Sequence, residues 1–146
     1  MDGIWLEFGP GRYHFRLKMP QILEIERNCG DRPLVTMYED LSAGVGIEKA
    51  TERAVFMFSG PVRIKDCYEI IRCAAIGGGE AEVAGEDRKV SPIDAKRLVD
   101  EYVAERADYE EFVPVAWAIL DATLRSVRLK KKADEAAAGM SVSSEA

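Results

Sequence analysis

From Ile64 the apolar residues Ile64, Cys67, Tyr68, Ile71, Ala74 and Ala75 recur at i, i+3, i+4, i+7, i+10 and i+11, and the run then meets Gly77-Gly78-Gly79. That spacing lines one face of an α-helix, and glycine just past the last turn is a common way for a helix to stop. A helix with a single apolar face has to bury it against other elements, so the flanking segments must supply the cover.

Two short period-2 runs lie at the N-terminus. Ile4, Leu6 and Phe8 alternate with Trp5 and Glu7, and Tyr13, Phe15 and Leu17 alternate with His14, Arg16 and Lys18. Gly9-Pro10-Gly11-Arg12 between them has turn chemistry, so the pair reads as a β-hairpin. Two strands alone are marginally stable, and a helix is expected over one face. Pro20 suits a first helical turn, and Ile22, Leu23, Ile25 and Cys29 follow as a short stripe ending at Gly30. A second short helix is expected from Leu34 to Leu41, before Gly44.

Val45 to Phe58 fits two patterns. Ile47, Ala50, Ala54, Met57 and Phe58 match a helix, while Val55 to Phe58 matches a buried strand; the helix is the favoured reading. Glu80 to Lys89 reads as a polar loop. Ser91-Pro92-Ile93-Asp94 then combines an N-cap serine, a proline at N1 and a carboxylate at N3, the firmest helix start in the chain. Ala95, Leu98, Val99, Tyr102 and Val103 give that helix its apolar face. Asp108 with Glu111 is expected to cap the last helix, whose stripe is Phe112, Val113, Ala116, Ile119, Leu120, Thr123, Leu124 and Val127. Pro114 lies beyond its first turn, so the helix either kinks there or becomes regular only from that point. Beyond Val127 the pattern dissolves into Arg128-Leu129-Lys130-Lys131-Lys132 and an Ala-rich end. The expected architecture is α+β, an N-terminal β-hairpin packed on a bundle of about four to five α-helices. It forms a single domain over residues 1–129, with a flexible, disordered C-terminal tail over 130–146.

Composition narrows the function classes. At 146 residues the chain has the length of one domain, which can hide roughly 70% of its unfolded surface. A formal net charge of -6 argues against a broad phosphate-binding surface, so nucleic acid is not an expected partner. The start Met1-Asp2-Gly3-Ile4-Trp5 lacks the basic and apolar regions of a signal peptide, and the longest apolar run, Val113 to Leu120, is far short of a membrane span. Cytoplasmic localisation is therefore expected. Cys29, Cys67 and Cys73 lack disulfide-framework spacing and read as small apolar fillers in a reducing compartment.

Catalytic and metal chemistry find no foothold. The single histidine, His14, sits on the outward phase of a strand. Cys67 and Cys73, six apart on a helix, fall about 240° round from one another and cannot clasp one metal. No Lys-Ser or Lys-Thr follows Gly77-Gly78-Gly79, as a phosphate loop requires. Asp100, Glu101, Glu105, Asp108, Glu110 and Glu111 read as a solvated acidic face. The expectation is a non-enzyme without cofactor or metal. The cationic cluster Arg128, Lys130, Lys131 and Lys132 suits a helix C-terminus through the macrodipole and is also the candidate partner-binding set.

The ordered pieces Leu6-Glu7-Phe8-Gly9, Tyr13-His14-Phe15-Arg16-Leu17, Ile22-Leu23-Glu24-Ile25-Glu26 and Ile70-Ile71-Arg72-Cys73-Ala74-Ala75-Ile76-Gly77-Gly78-Gly79 form the first part of a wider likeness. Ser91-Pro92, Leu98-Val99-Asp100-Glu101-Tyr102-Val103 and Val115-Ala116-Trp117-Ala118-Ile119-Leu120 complete it. Over roughly residues 4 to 127 the chain resembles the gene transfer agent family of small phage proteins, described as tail-tube or tail-assembly-chaperone proteins. The resemblance implies a tail-assembly chaperone in the bacterial cytoplasm, which keeps a tape-measure protein soluble and helps recruit tail-tube subunits, without catalysis or cofactor. The alternative it implies is a structural tail component that self-assembles, so a homo-oligomer stays open. The chain departs from the family pattern between Asp31 and Ser59 and in its Lys-rich end.

Overall fold

A computed structural model describes the backbone of residues 3–145 and the side chains of residues 3–126 and 132–136. Strands β1 (Ile4–Phe8) and β2 (Gly11–Phe15) form the expected hairpin, followed by helices α1 (Met19–Asn28) and α2 (Leu34–Ser42). Strands β3 (Val45–Glu48) and β4 (Arg53–Phe56) precede α3 (Ile64–Gly78), and β5 (Glu80–Val83) and β6 (Glu86–Lys89) follow it. Helix α4 (Pro92–Val99) runs on into a π-helical segment (Asp100–Glu105) before α5 (Tyr109–Glu145). The α+β class and the N-terminal hairpin are as the sequence indicates.

The hairpin register pairs Phe8 with Gly11, leaving Gly9 and Pro10 as a two-residue turn. Gly9 has φ +55, as the first position of a type II′ turn requires, and Pro10 then fits the second. Alternation puts Phe8, Tyr13 and Phe15 in the core.

Two segments differ from expectation. Val45 to Phe58 is the β3–β4 hairpin rather than a helix, with Val45 opposite Phe56 and Glu48 opposite Arg53. Four-residue strands are too short to display an alternation that outcompetes a chance helical spacing, and β-branched Val45, Ile47 and Val55 favour the pleated form. Glu80 to Lys89, read as a loop, is the β5–β6 hairpin. Its turn residues Ala84 and Gly85 have φ +54 and +78, the two positive values of a type I′ turn, and β6 is exposed throughout, so no apolar pattern marked it. Strand β5 pairs with β2, giving one antiparallel sheet in the order β1-β2-β5-β6, while β3-β4 stands as a separate sheet. The N-terminal hairpin is thus half of a four-stranded sheet, and β2 has no free edge.

Helix α3 is the centre of the fold, packed against β2, α1, α4 and α5. Its triple glycine is more than a stop. Gly79 caps it in the left-handed conformation at φ +68, whereas Gly77 and Gly78 lie against β2: a Cβ on Gly78 would strike the His14 carbonyl oxygen, and one on Gly77 that of Arg16. The close approach is locked by Arg16 N–H donating to Ala74 O at 2.9 Å.

Ser91 caps α4 as expected, with Asp94 N–H donating to Ser91 Oγ at 3.2 Å and Ser91 N–H to Asp94 Oδ2 at 3.1 Å. The cap foreseen for α5 is different. The Glu111 carboxylate turns to the β1–β2 turn and accepts from Gly9 N–H at 2.9 Å. Pro114 sits inside a continuous α5, leaving the Glu110 carbonyl without its i+4 donor. The buried stripe of α5 runs from Phe112 to Thr123, and Leu124 is half-buried against the core. The backbone continues helical to Glu145. The tail expected over 130–146 falls largely on side chains outside the described residues.

Candidate functional site

Both sheets lie on α5, and between them runs a groove of about 430 Å³. Trp5, Leu6 and Glu7 of β1 form one wall, Arg53 and Ala54 of β4 the other, and Pro114, Val115 and Ala118 of α5 the floor. On both walls, main-chain groups are turned away from their own ladders. Because Phe8 and Gly11 close a two-residue hairpin, Phe8, Leu6 and Ile4 bond to β2, and the N–H and C=O of Trp5 and Glu7 are turned to the open edge. On the other wall, Met57 N–H donates to Gly44 O at 2.8 Å, which fixes the phase of the ladder and turns the main chain of Ala54 and Phe56 away from β3.

Side chains around the groove are apolar or charged, with the cations Arg12 and Arg53 beside the Glu7 carboxylate. The Arg12 guanidinium lies 5.8 Å from the Trp5 ring centroid, and Trp5 stacks on His14 with centroids 5.2 Å apart. Arg53 has no ion-pair partner among the described residues. Beside it the β3–β4 hairpin carries an apolar patch of Ile47, Met57 and Phe58, all more than half exposed. Phe58 is 69% exposed and holds φ +54, a costly conformation for a bulky residue that persists only where its surroundings impose it. Its ring begins a series running inward: Phe58 to Phe56 at 4.9 Å, Phe56 to Tyr109 at 6.0 Å, and Tyr109 to Phe112 at 4.8 Å between centroids.

Of the candidate partner-binding residues, none with a described side chain lines the groove. Lys132 is exposed on α5, and the side chains of Arg128, Lys130 and Lys131 lie outside the described residues. Asp100, expected on a solvated face, accepts from the Tyr68 hydroxyl at 2.6 Å and from Lys96 Nζ at 2.5 Å; these two bonds, Lys96 first, hold its carboxyl below the usual range. Glu101 pairs with Arg106 at 3.2 Å. No group of three or more His, Cys, Asp or Glu among the described residues could hold a metal ion. No described helix is long and apolar enough to cross a membrane.

Sequence reasoning missed the charges buried at the junction of α1, α2 and α3. Asp66 and Glu69 are both buried on α3. Arg32 bonds Asp66, Asp40 at 3.2 Å and the Cys29 carbonyl at 3.1 Å, while Arg72 reaches Glu69 at 2.6 Å and Glu24 at 3.0 Å. Burial alone would weaken the charge on Arg72, but the Glu69 and Glu24 hydrogen bonds outweigh it and raise its pKa. Each of these carboxylates has its arginine, so the cluster holds helices together and presents no open valence to a ligand.

All three cysteines are buried and free, as small apolar fillers would be. Burial first, then the Asp66 and Glu69 carboxylates, pushes Cys29 up to about 12; burial pushes Cys73 up to about 12 and raises Cys67 as well. Since the thiolate is the reactive form, a disulfide reagent at pH 8 is expected to find no reactive thiol in the folded chain and three after unfolding. Thiols that titrate at 9.0 when unfolded and near 12 when folded favour the fold below 9.0, and that stabilisation is lost as pH rises towards 12. Rapid labelling of any one thiol at pH 8 without unfolding would refute the assignment.

Fold and groove together define a small α+β protein whose two antiparallel sheets turn open edges towards each other across one helix. No family model, curated protein or solved structure matches the chain.

Proposed function

We propose that the protein is a non-enzymatic tail-morphogenesis protein of a phage or gene transfer agent, a tail-assembly chaperone that holds an extended segment of a tape-measure or tail-tube protein. The observation that carries the reading is the groove: two strand edges with unpaired main-chain groups on opposite walls, an apolar floor, and Trp5 and Phe58 exposed beside it. Such an arrangement suits β-augmentation, in which main-chain hydrogen bonds give affinity and neighbouring pockets give selectivity. The family resemblance supplies the biological setting, and its most specific piece, Ile70 to Gly79, coincides with the crossing of α3 on β2.

The test is co-expression with any tape-measure and tail-tube proteins encoded beside it. Wild type should co-purify with one of them, and Ala54→Pro should not, because proline removes the N–H that Ala54 turns into the groove while leaving the β3–β4 ladder intact. Failure of the wild-type chain to retain either protein would count decisively against the chaperone.

A second reading, a structural tail component, draws on a separate observation. Strands β1 and β6 are opposite edges of one sheet, and joining unlike edges head to tail builds rings or tubes. Electron microscopy of concentrated protein showing rings or tubes would favour it, and a monomer at all concentrations would remove it.

A further inference from the structure

A second cleft, distinct from the groove, opens between the β2-β5-β6 face of the sheet and α4 with its π-helical extension, and has a volume of about 360 Å³. Its floor is apolar, from Ala81, Val83, Val90 and Leu98. Tyr13 of β2 lines it while only 8% exposed, and its hydroxyl makes no hydrogen bond to any described residue, yet no buried side-chain polar atom among the described residues lacks a partner. The phenol oxygen therefore meets the cleft itself. Its surroundings agree: the groups that act electrostatically on it, Tyr102, Arg88 and Asp94, all line the cleft. Burial raises the Tyr13 pKa, with Tyr102 adding to the rise, so at neutral pH the hydroxyl is a donor awaiting an acceptor.

The charges at the rim are unequal in availability. Asp94 is engaged in the Ser91 cap, and Glu101 in its pair with Arg106. The cations are freer: Arg97 has no ion pair among the described residues, and Arg88 has only a loose 3.8 Å contact to exposed Glu86. The Tyr102 ring, backed by the Arg106 guanidinium at 4.4 Å from its centroid, supplies an aromatic wall on the π-helical segment. π-Helical turns are rare and recur at functional sites.

We infer that this cleft binds a carboxylate carried on a short apolar stem, the carboxylate accepting from the Tyr13 hydroxyl between Arg88 and Arg97 and the stem lying on Val83, Leu98 and the Tyr102 ring. A free aromatic acid and the C-terminus of a chain ending in phenylalanine present the same chemistry. The site is independent of the proposed tail role, since it shares no residue with the groove.

The experiment titrates 3-phenylpropionate, a tetrapeptide ending in phenylalanine with a free carboxylate, and the same peptide amidated into the full chain, followed by amide NMR shifts. Saturable shifts confined to β2, β5, β6, α4 and its π-helical extension are expected for the small acid, the free peptide or both, and which of them binds identifies the source. Loss of a hydrogen bond to a charged group should weaken binding at least about tenfold in Tyr13→Phe, which keeps the ring, and Arg97→Gln, at an exposed position, should do likewise. Equal binding of the amidated peptide, unchanged binding by both variants, or no saturable shift with any probe overturns the inference.

Discussion

Replacing Gly78 by alanine is expected to destabilise the protein by about 3 kcal/mol or more, whereas the same change at the next residue should cost about 1 to 2 kcal/mol. The two glycines do different work. Gly79 has open space around its Cβ position, with the Ile76 carbonyl oxygen nearest at 3.7 Å, so alanine there meets only the left-handed penalty at φ +68. At Gly78 the new methyl group would collide with the backbone of β2 at His14, and backbone cannot swing aside as a flexible side chain can. Relief requires α3 to lift from the sheet, stretching the Arg16 to Ala74 hydrogen bond and opening the packing of Cys73 and Ala74 against the core. Urea denaturation of the two variants at a common m-value separates the cases. Equal midpoints for Gly78→Ala and Gly79→Ala would mean that the glycines serve only to end the helix.

That contrast also shows what could be read without coordinates. Amphipathic spacing from Ile64 to Ala75, the Ser91-Pro92-Asp94 cap and the Gly9-Pro10 turn are local signals, set by residues within one or two turns of each other, and each is found where the pattern places it. The β5–β6 hairpin was illegible because its stability comes from pairing with β2, more than sixty residues away in sequence, and not from an apolar alternation of its own. β3–β4 was misread because Ile47, Ala50, Ala54, Met57 and Phe58 recur at spacings that a helix would also satisfy. The groove exists only once β1 and β4 are laid on the same helix. Alternation in β1 places Trp5 opposite in phase to Phe8, whereas nothing local marks Phe58 as exposed. Tyr13 was correctly assigned to the inward phase of β2, and only the position of α4 reveals that its hydroxyl ends in a cleft. Of the Arg128 to Lys132 cluster, the most conspicuous charge run, the one described side chain, Lys132, lines neither.

Arg32→Ala should cost about 3 to 5 kcal/mol, the range for removing one member of a buried ion pair, because it strands Asp66. Asp66 is 1% exposed, and no other cation among the described residues forms an ion pair with it. Arg32 occupies the α1–α2 connection, so its three bonds fix the end of α1 through the Cys29 carbonyl, α2 through Asp40 and α3 through Asp66. Lysine supplies a point charge where this geometry uses a planar fork, and Arg32→Lys should recover only a minor part of the loss. The paired change Arg32→Met with Asp66→Leu removes both charges together and should return most of the stability, since well-packed apolar replacements of buried ion pairs are often neutral. A double-mutant cycle from urea midpoints then gives the coupling between the two residues. A cost below about 1 kcal/mol for Arg32→Ala, the level of an exposed ion pair, would show that Asp66 finds water or another partner and that α1, α2 and α3 are held by apolar packing alone.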